Sequence, residues 1–371
     1  MTLKHRWEIR FNSATGYTFQ QWWRLLRLNQ FDLDGVYAHR VAFVTVMSLI
    51  NSLYHAFEQT RFSGRIRETE LPQSPIFILG HWRSGTTHLH NLLALNTDQF
   101  SAINTYQTAH PFTFLVSKPF YTRLMAFALP ETRVVDTMPL QFHSPQEDEL
   151  ALAMLSLKSP YLGAHFPRHR EAYLRYLDFV DVPEAEIAQW KAAFIYLIKK
   201  LTSVYPGQTL ILKSPPHTAR IKHLLDLFPE ARFIHIHRHP YTVFQSTRRL
   251  YDTIPWFNYL QKPDLATIDE FLLYQYQRLH EAYFAQRPLI APNHFYEIPF
   301  HELEADPISA IRGIYEAFEL GDFDTFYPTL NRYVAGLADY RKNVHVDLPQ
   351  PLRQRLVDMN PRCFQVWGYE T

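Results

Sequence analysis

The sequence predicts an α/β fold in which a central parallel sheet is flanked by helices. A helical N-terminal extension precedes the sheet, and an insertion rich in helices and loops interrupts it. Short apolar runs separated by long amphipathic stretches lead to this prediction, because parallel strands require such crossovers. Before the first of these runs only helical periodicity is found. The predicted strands are Ile76–Leu79, Thr209–Leu212, Phe233–His237 and His294–Ile298.

The extension is predicted over residues 1–70, where tryptophan, leucine and valine recur at helical spacing. The polar segment Arg61–Pro72, which ends in proline, marks its boundary with an α/β domain over residues 71–371. Crossover helices are predicted over Glu184–Tyr205 and Thr218–Phe228. Residues 110–182 are rich in Pro, Phe and Tyr, and we interpret them as the insertion.

The composition allows a large core and narrows the choice of partners. The 371 residues are 47% hydrophobic and 15% aromatic. The formal net charge of +1 provides no basic excess to neutralise a nucleic-acid backbone, so no nucleic acid is expected. The single Cys363 excludes an internal disulfide and fits a reducing, cytoplasmic setting. The 19 histidines form no HExxH motif or close cluster, and no metal site is predicted.

The N-terminal region shows no signal-peptide pattern. Its most apolar run, Val41–Ile50, is too short to span a bilayer. The aromatic N-terminal helices keep open a peripheral contact with a membrane.

The most informative segment is a strand, a tight loop and a helix start. The first strand ends at Gly80, the loop Arg83–Thr87 (Arg-Ser-Gly-Thr-Thr) follows, and leucines then recur at helical spacing. Backbone N–H groups and the helix dipole at such a helix start favour a phosphate. The loop lacks the Gly-Lys-Ser/Thr of a Walker A motif, which places a hydroxyl on magnesium. The fold is therefore predicted to be P-loop-like without the magnesium motif.

A second strand also ends in groups that bind anions. Arg238 follows the predicted strand Phe233–His237, and Ser246 comes eight residues later in the next helix. A guanidinium group matches two phosphate oxygens at once, and a serine two turns into the helix is able to bind the same group. Because the first loop also follows a strand, the two segments indicate two anion sites on one nucleotide.

These two segments resemble the 5′-phosphosulfate loop and the 3′-phosphate site of sulfotransferases. Such enzymes move a sulfuryl group from PAPS (3′-phosphoadenosine 5′-phosphosulfate) to a hydroxyl and release PAP. The resemblance spans about residues 75–345 and departs from the family at His239, where Asp is usual. It implies a P-loop-like fold, metal-independent transfer and an acceptor pocket in the insertion. The residues it implies for PAPS binding are Arg83, Ser84, Gly85, Thr86, Thr87, His88, Arg238, Ser246, Arg341 and Lys342.

Two of these assignments depart from the family pattern. His88 stands where many members have an adenine-stacking tryptophan. The pair Arg341-Lys342 resembles the family's late Arg-Lys-Gly loop without its glycine.

Lys213 ends the strand that begins at Thr209, where several sulfotransferase branches carry a lysine. The resemblance implies that its ammonium contacts the transferring sulfuryl group and the bridging oxygen. A positive charge there stabilises the phosphate that leaves.

Two residues remain candidates for the general base. Cytosolic members have a histidine two positions after the lysine, but this chain has Pro215. His217 lies two residues further on. The alternative is Glu147 in Ser-Pro-Gln-Glu-Asp-Glu, a run found in bacterial relatives, where Ser144 is predicted to cap a helix with an acidic first turn. Acidic first turns are also common on solvated helices. We place Glu147 ahead of His217.

Two other functions compete with sulfuryl transfer. A P-loop kinase or NTPase would require ATP with magnesium, and a nonenzymatic nucleotide-binding module would act at a membrane surface. Stabilisation by PAP without magnesium would distinguish the first hypothesis from the kinase. The aromatic insertion favours an apolar or lipid-like alcohol or phenol as acceptor.

Overall fold

The computed structural model describes residues 3–9, 11–125, 143–337 and 348–371, and the chain divides into two compact units. Unit 1 consists of Met1–Leu71, Ile103–Pro206 and Leu250–Ile268. Unit 2 consists of Pro72–Ala102, Gly207–Arg249 and Asp269–Thr371.

The strands of the described residues are β1 Ile76–Leu79, β2 Phe100–Ala102, β3 Thr209–Lys213, β4 Arg232–His237 and β5 Phe295–Pro299. The α-helices are α1 Phe19–Leu28, α2 Ala38–Glu68, α3 Thr86–Ala94, α4 Thr105–Ala109, α5 Lys118–Met125, α6 Asp148–Ser156, α7 Arg170–Leu174, α8 Glu184–Val204, α9 Ile221–Leu227, α10 Pro240–Tyr251, α11 Ile268–Gln286, α12 Phe300–Ala305, α13 Pro307–Ala317, α14 Phe323–Ala335, α15 Gln350–Met359 and α16 Pro361–Trp367. Short 3₁₀ turns connect several of them.

Unit 2 is built around a five-stranded sheet with the order β2-β3-β1-β4-β5, and its paired strands are parallel. Strand β1 is buried along its whole length, as expected of a central strand covered on both faces. Because β1 lies between β3 and β4, the carboxyl ends of these three strands share one edge of the sheet. The predicted parallel sheet flanked by helices is confirmed.

The strand predictions differ from the structure mainly at the ends. Strand β1 has the predicted bounds, β3 and β4 are each one residue longer, and β5 begins and ends one residue later. Strand β2 was not predicted, because three residues at a sheet edge carry too little periodicity to be seen in a sequence.

Unit 1 contains the long helix α2, which packs against α1 and α8. A fully buried ion pair between Glu58 of α2 and Lys200 of α8 joins two of these helices. Burial raises the pKa of Glu58 and lowers the pKa of Lys200 to about 8. The Lys200 ammonium also donates to the Pro111 carbonyl at 2.8 Å. By length and composition alone, Gly35–Glu68 is able to cross a membrane, since an 18-residue window within it reaches a mean hydropathy of 1.2.

Helix α2 ends at Glu68, inside the segment Arg61–Pro72 that was predicted as a boundary. Two local predictions are corrected. The predicted helix Thr218–Phe228 is a 3₁₀ turn, Pro215–Ala219, followed by the shorter α9. Helix α8 ends one residue before its predicted end. The interpretation of residues 110–182 as an acceptor insertion stays a prediction, as do the domain bounds 1–70 and 71–371.

Candidate active site

The loop between β1 and α3 has the tight backbone that an anion cradle needs. Gly80 and Gly85 both have positive φ angles, +147° and +109°, and Arg83 adopts the left-handed region at +70°. A Cβ at Gly85 would lie 2.2 Å from the Phe300 ring, so only glycine fits there. Gly85 is the N-cap of α3, and the loop therefore presents the positive end of that helix.

Two hydrogen bonds with buried groups hold the loop in place. The Ser84 hydroxyl donates to the His81 carbonyl at 2.8 Å, and the Gly80 amide donates to the Thr218 hydroxyl at 2.7 Å. Ser84 and Thr86 are buried, whereas Arg83 and Thr87 are half-buried. Burial also lowers the pKa of His81 to about 4, so this ring is neutral near pH 7.

The two predicted phosphate-binding segments meet in unit 2. Arg83 Nε donates to Ser246 Oγ at 2.9 Å, although the residues are 163 positions apart. Arg238, at the end of β4, places its guanidinium carbon 4.4 Å from the centre of the Phe300 ring. Phe300 thus supports both Gly85 and Arg238. Phe300 was not among the predicted site residues.

Lys213 lies beside the same loop. Its ammonium donates to Thr87 Oγ1 at 3.5 Å, and the residue is 2% exposed. Arg83, Lys213 and Arg238 thus place three cations at the ends of the neighbouring strands β1, β3 and β4. Such a cluster stabilises an anion with several charges.

The remaining predicted nucleotide ligands differ in how far the structure describes them. His88 is half-buried in the first turn of α3, and burial lowers its pKa. Arg341 and Lys342 lie outside the described residues. Among the described residues, no group of three or more His, Cys, Asp or Glu stands where it could hold a metal ion.

The helix that carries Glu147 begins differently from its prediction. Helix α6 starts at Asp148, and Glu147 is its N-cap residue. The predicted Ser144 cap is wrong, because Pro145 forms a β-bridge with Asn104 and the Ser144 carbonyl accepts from the Thr105 amide at 3.0 Å. A residue before proline favours this extended conformation over a helical one.

The carboxylates at the start of α6 lie in different environments. Glu147 is half-buried in unit 1 and accepts a hydrogen bond from the Tyr161 hydroxyl. Asp148 and Glu149 are fully buried. The description of three carboxylates on a solvated first turn therefore does not hold.

His217 is fully buried in the 3₁₀ turn after β3. Its ring meets the Phe77 ring edge to face, with the centroids 5.5 Å apart. The role of His217 as a general base stays a prediction.

The C-terminal residues hold β4 next to Arg238, which the sequence analysis did not foresee. The Trp367 and His237 rings are stacked with their centroids 4.8 Å apart, and the Tyr369 hydroxyl is hydrogen-bonded to His237 Nδ1 at 2.8 Å. Glu297 of β5 accepts from His235 at 2.7 Å and from Trp367 at 3.3 Å. Burial would raise the pKa of Glu297, but its hydrogen bonds and the nearby histidines lower it to about 2. In the sequence, the alternating aromatic and histidine residues around Arg238 were the available indication that this strand end packs against other aromatic groups.

The sequence profile of the Sulfotransferase family matches residues 75–324, which include all of these strand ends. This chain is a member of the sulfotransferase family. It is 36% identical over 330 residues to the omega-hydroxy-beta-dihydromenaquinone-9 sulfotransferase Stf3 of Mycobacterium bovis and to that of Mycobacterium tuberculosis. Each alignment covers 88% of this chain and 84% of the relative.

Solved structures show the same fold. Sulfotransferase STF1 of Mycobacterium tuberculosis is similar to this sulfotransferase with a TM-score of 0.65 and 20% identity over 92% of each chain. STF9 of Mycobacterium avium gives a TM-score of 0.67 and 17% identity, over 96% of this chain and 97% of that one. The P-loop-like fold is thus confirmed.

Family membership decides between the competing functions. The protein is an enzyme that transfers a sulfuryl group to a hydroxyl, and PAPS is the donor that the family implies. The kinase and the nonenzymatic module are set aside.

Proposed function

We propose that this sulfotransferase binds PAPS with its 5′-phosphosulfate on the loop Arg83–Thr87 and its 3′-phosphate on Arg238 and Ser246. The observation that carries the proposal is the 2.9 Å hydrogen bond from Arg83 to Ser246. It brings together two segments that the sequence assigned separately to the two ends of one nucleotide. Their guanidinium and hydroxyl groups are the donors that phosphate and sulfate oxygens accept from.

His88 is assigned to the adenine side of the nucleotide, and Arg341 and Lys342 to the 3′-phosphate, on family resemblance. Arginine and lysine supply the positive charge, so the proposal includes no metal. The donor chemistry at the three strand ends supports this, because each contributes a cationic side chain.

Lys213 is assigned to the leaving group. Transfer breaks the bond between sulfur and the oxygen that bridges to the 5′-phosphate, and negative charge grows on that oxygen. An ammonium held beside the phosphosulfate loop stabilises this charge in the transition state more than in the bound donor.

Glu147 is assigned as the general base, which takes the acceptor hydroxyl proton as the new S–O bond forms. Its half-buried carboxylate, oriented by Tyr161, supports the choice over the fully buried His217.

The acceptor is proposed to be a lipid-like alcohol. The similar mycobacterial enzymes are named for an omega-hydroxylated menaquinone, in which the hydroxyl ends an apolar chain. The aromatic residues of region 110–182 fit such a chain. A cytoplasmic location with peripheral membrane contact through the N-terminal helices belongs to the same proposal.

Two measurements test the proposal. Incubation with PAPS labelled with ³⁵S and an omega-hydroxylated polyprenyl quinone should transfer label in the presence of EDTA, and a short soluble phenol should be a poorer acceptor. PAP should raise Tm without magnesium, whereas ATP with magnesium should not. Transfer that requires added metal, or a Tm that PAP leaves unchanged, would contradict the proposal.

A further inference from the structure

One face of α2 exposes large apolar side chains at helical spacing. Val46, Leu49, Leu53 and Phe57 follow one another at intervals of three or four residues and are 56%, 50%, 76% and 59% exposed. Residues at such intervals share one face of a helix. These four residues are called the α2 stripe below. Contiguous apolar patches of this kind on a protein surface mark an interaction site.

The opposite face of α2 is buried in unit 1 and carries polar groups that form hydrogen bonds or an ion pair there. Asn51 donates to the Tyr17 carbonyl at 2.9 Å, and Glu58 is paired with Lys200. Arg40 donates to the Tyr259 carbonyl at 2.9 Å. If α2 crossed a bilayer, these polar groups would lie in hydrocarbon, where charged and hydrogen-bonding groups are strongly disfavoured. Although α2 has the length of a membrane span, this amphipathic arrangement is typical of a helix that lies on a membrane surface.

Helix α1 adds exposed aromatic and apolar side chains next to α2. Its Trp23 is 46% exposed and contacts Phe31, which is 44% exposed, with ring centroids 5.1 Å apart. The Trp22 indole fixes α1 to α2 by donating to Thr45 Oγ1 at 3.0 Å. Tryptophan is the residue type that prefers the level of lipid headgroups.

The charges around this face complement an anionic lipid surface. Arg24 and Arg27 of α1 and Arg61 at the end of the stripe are exposed. Between residues 35 and 67 the sole acidic residue is Glu58, which is buried against Lys200. The next exposed acidic residues along the chain are Glu68 and Glu70, at and beyond the end of α2. Arginines around an apolar stripe are typical of helices that bind anionic bilayers.

The stripe is continuous with the segment predicted to bind the acceptor. Tyr54 of α2 contacts Phe120 with ring centroids 5.7 Å apart. Phe120 is 38% exposed and lies on α5, within region 110–182. A lipid acceptor held in a bilayer would meet this aromatic pair as it leaves the membrane.

We propose that the α2 stripe docks onto the surface of an anionic lipid bilayer, with α2 lying in the plane of the interface. This inference deepens the peripheral membrane contact of the proposed function and takes the lipid acceptor from it. The docking surface itself is argued from the exposed stripe, its buried opposite side and its arginines. Docking keeps the enzyme at the place where a water-insoluble hydroxyl acceptor is dissolved.

The test is cosedimentation of the full-length protein with vesicles of phosphatidylcholine, with or without phosphatidylglycerol. Leu53→Glu, alone and with Phe57→Glu, removes the most exposed part of the stripe. The matched control is Leu289→Glu, because Leu289 is 53% exposed in unit 2. Tm and the PAP-induced Tm shift show that each variant is folded, and the single Leu53→Glu serves if the double variant does not fold.

We expect wild type and Leu289→Glu to sediment with anionic vesicles and the stripe variants to partition about tenfold more weakly. Arg24→Gln with Arg27→Gln should weaken binding to anionic vesicles several-fold and leave binding to neutral vesicles unchanged. The proposal is overturned if wild type stays in the supernatant or if the stripe variants sediment equally well. A dimer that Leu53→Glu converts to a monomer, without vesicle binding, would assign the stripe to a second copy and also overturn it.

Sulfation measured in detergent separates this proposal from the proposed function. An acceptor dispersed in micelles should be sulfated equally by wild type and Leu53→Glu. If wild type binds vesicles but sulfates no lipid alcohol in micelles, the acceptor assignment fails and the docking stands.

Discussion

The nucleotide-side residues and the proposed base are positioned by different kinds of structure. Arg83, Lys213 and Arg238 lie at or just beyond the carboxyl ends of three neighbouring parallel strands, so the register of one sheet brings them to the same edge. Glu147 precedes α6 in unit 1 and is held by a β-bridge two residues earlier and by the hydroxyl of Tyr161. Positions that a sheet enforces are visible in a sequence, whereas positions that depend on contacts between distant loops are not.

The largest expected effect concerns the proposed base Glu147, whose position depends on contacts between distant loops. Glu147→Gln should lower kcat by ~10²–10⁴-fold, because the amide cannot accept the acceptor proton, and PAP affinity should be spared. His217→Asn should lower Tm, because the ring is packed against Phe77 in the core, and it should lower kcat less than Glu147→Gln does. Steady-state kinetics and PAP titration of both variants make this measurement.

Two outcomes would reverse the assignment. If His217→Asn loses kcat while Tm and PAP affinity hold, the imidazole is the base and Glu147 is structural. If both variants keep the full rate, the base lies elsewhere, with His110 and Glu149 as the next candidates. Both are buried, and burial lowers the pKa of His110 to about 3.

Lys213→Ala probes the sheet side of the comparison and should show the next largest effect. Loss of a charge that stabilises the leaving phosphate costs ~10²–10³-fold in kcat, with a smaller change in PAP affinity. Lys213→Arg is the matched control, since it keeps the positive charge but replaces the compact ammonium with a planar guanidinium. A loss confined to PAPS binding, with kcat intact, would make Lys213 a ligand of the bound donor.

The smallest effect concerns the C-terminal contact with β4. Tyr369→Phe removes the hydroxyl bonded to His237, one residue before Arg238, but keeps the aromatic ring. We expect PAP affinity to fall by up to about tenfold, because a single hydrogen bond contributes about 0.5–1.5 kcal/mol. Isothermal titration with PAP measures this. The hydroxyl has no part in positioning Arg238 if Tyr369→Phe binds PAP as wild type does.

The comparison also explains which parts of the structure could be predicted. Strand β1, its glycine loop and α3 were predicted in place, because an apolar run, glycines and helical leucines mark them locally. The Ser144 cap was wrong because the bridge that keeps Pro145 extended involves Asn104, 41 residues away in sequence.

Two supporting residues were missed for a related reason. Phe300 follows β5 and reaches both Gly85 and Arg238, and Tyr369 reaches β4 from the end of the chain. Nothing in a single aromatic residue indicates which distant backbone it supports. Arg341 and Lys342 stay predictions, since they lie outside the described residues.

The central claim is that Arg238 recognises the 3′-phosphate of the nucleotide. Calorimetric titration of wild type and Arg238→Ala with PAP and with adenosine 5′-monophosphate, which lacks that phosphate, tests it most directly. Wild type should prefer PAP by about 2–5 kcal/mol, the range for one partner of a close charge pair. Arg238→Ala should lose most of this preference and bind the monophosphate as wild type does. A folded Arg238→Ala protein that still prefers PAP to the same extent would contradict the account.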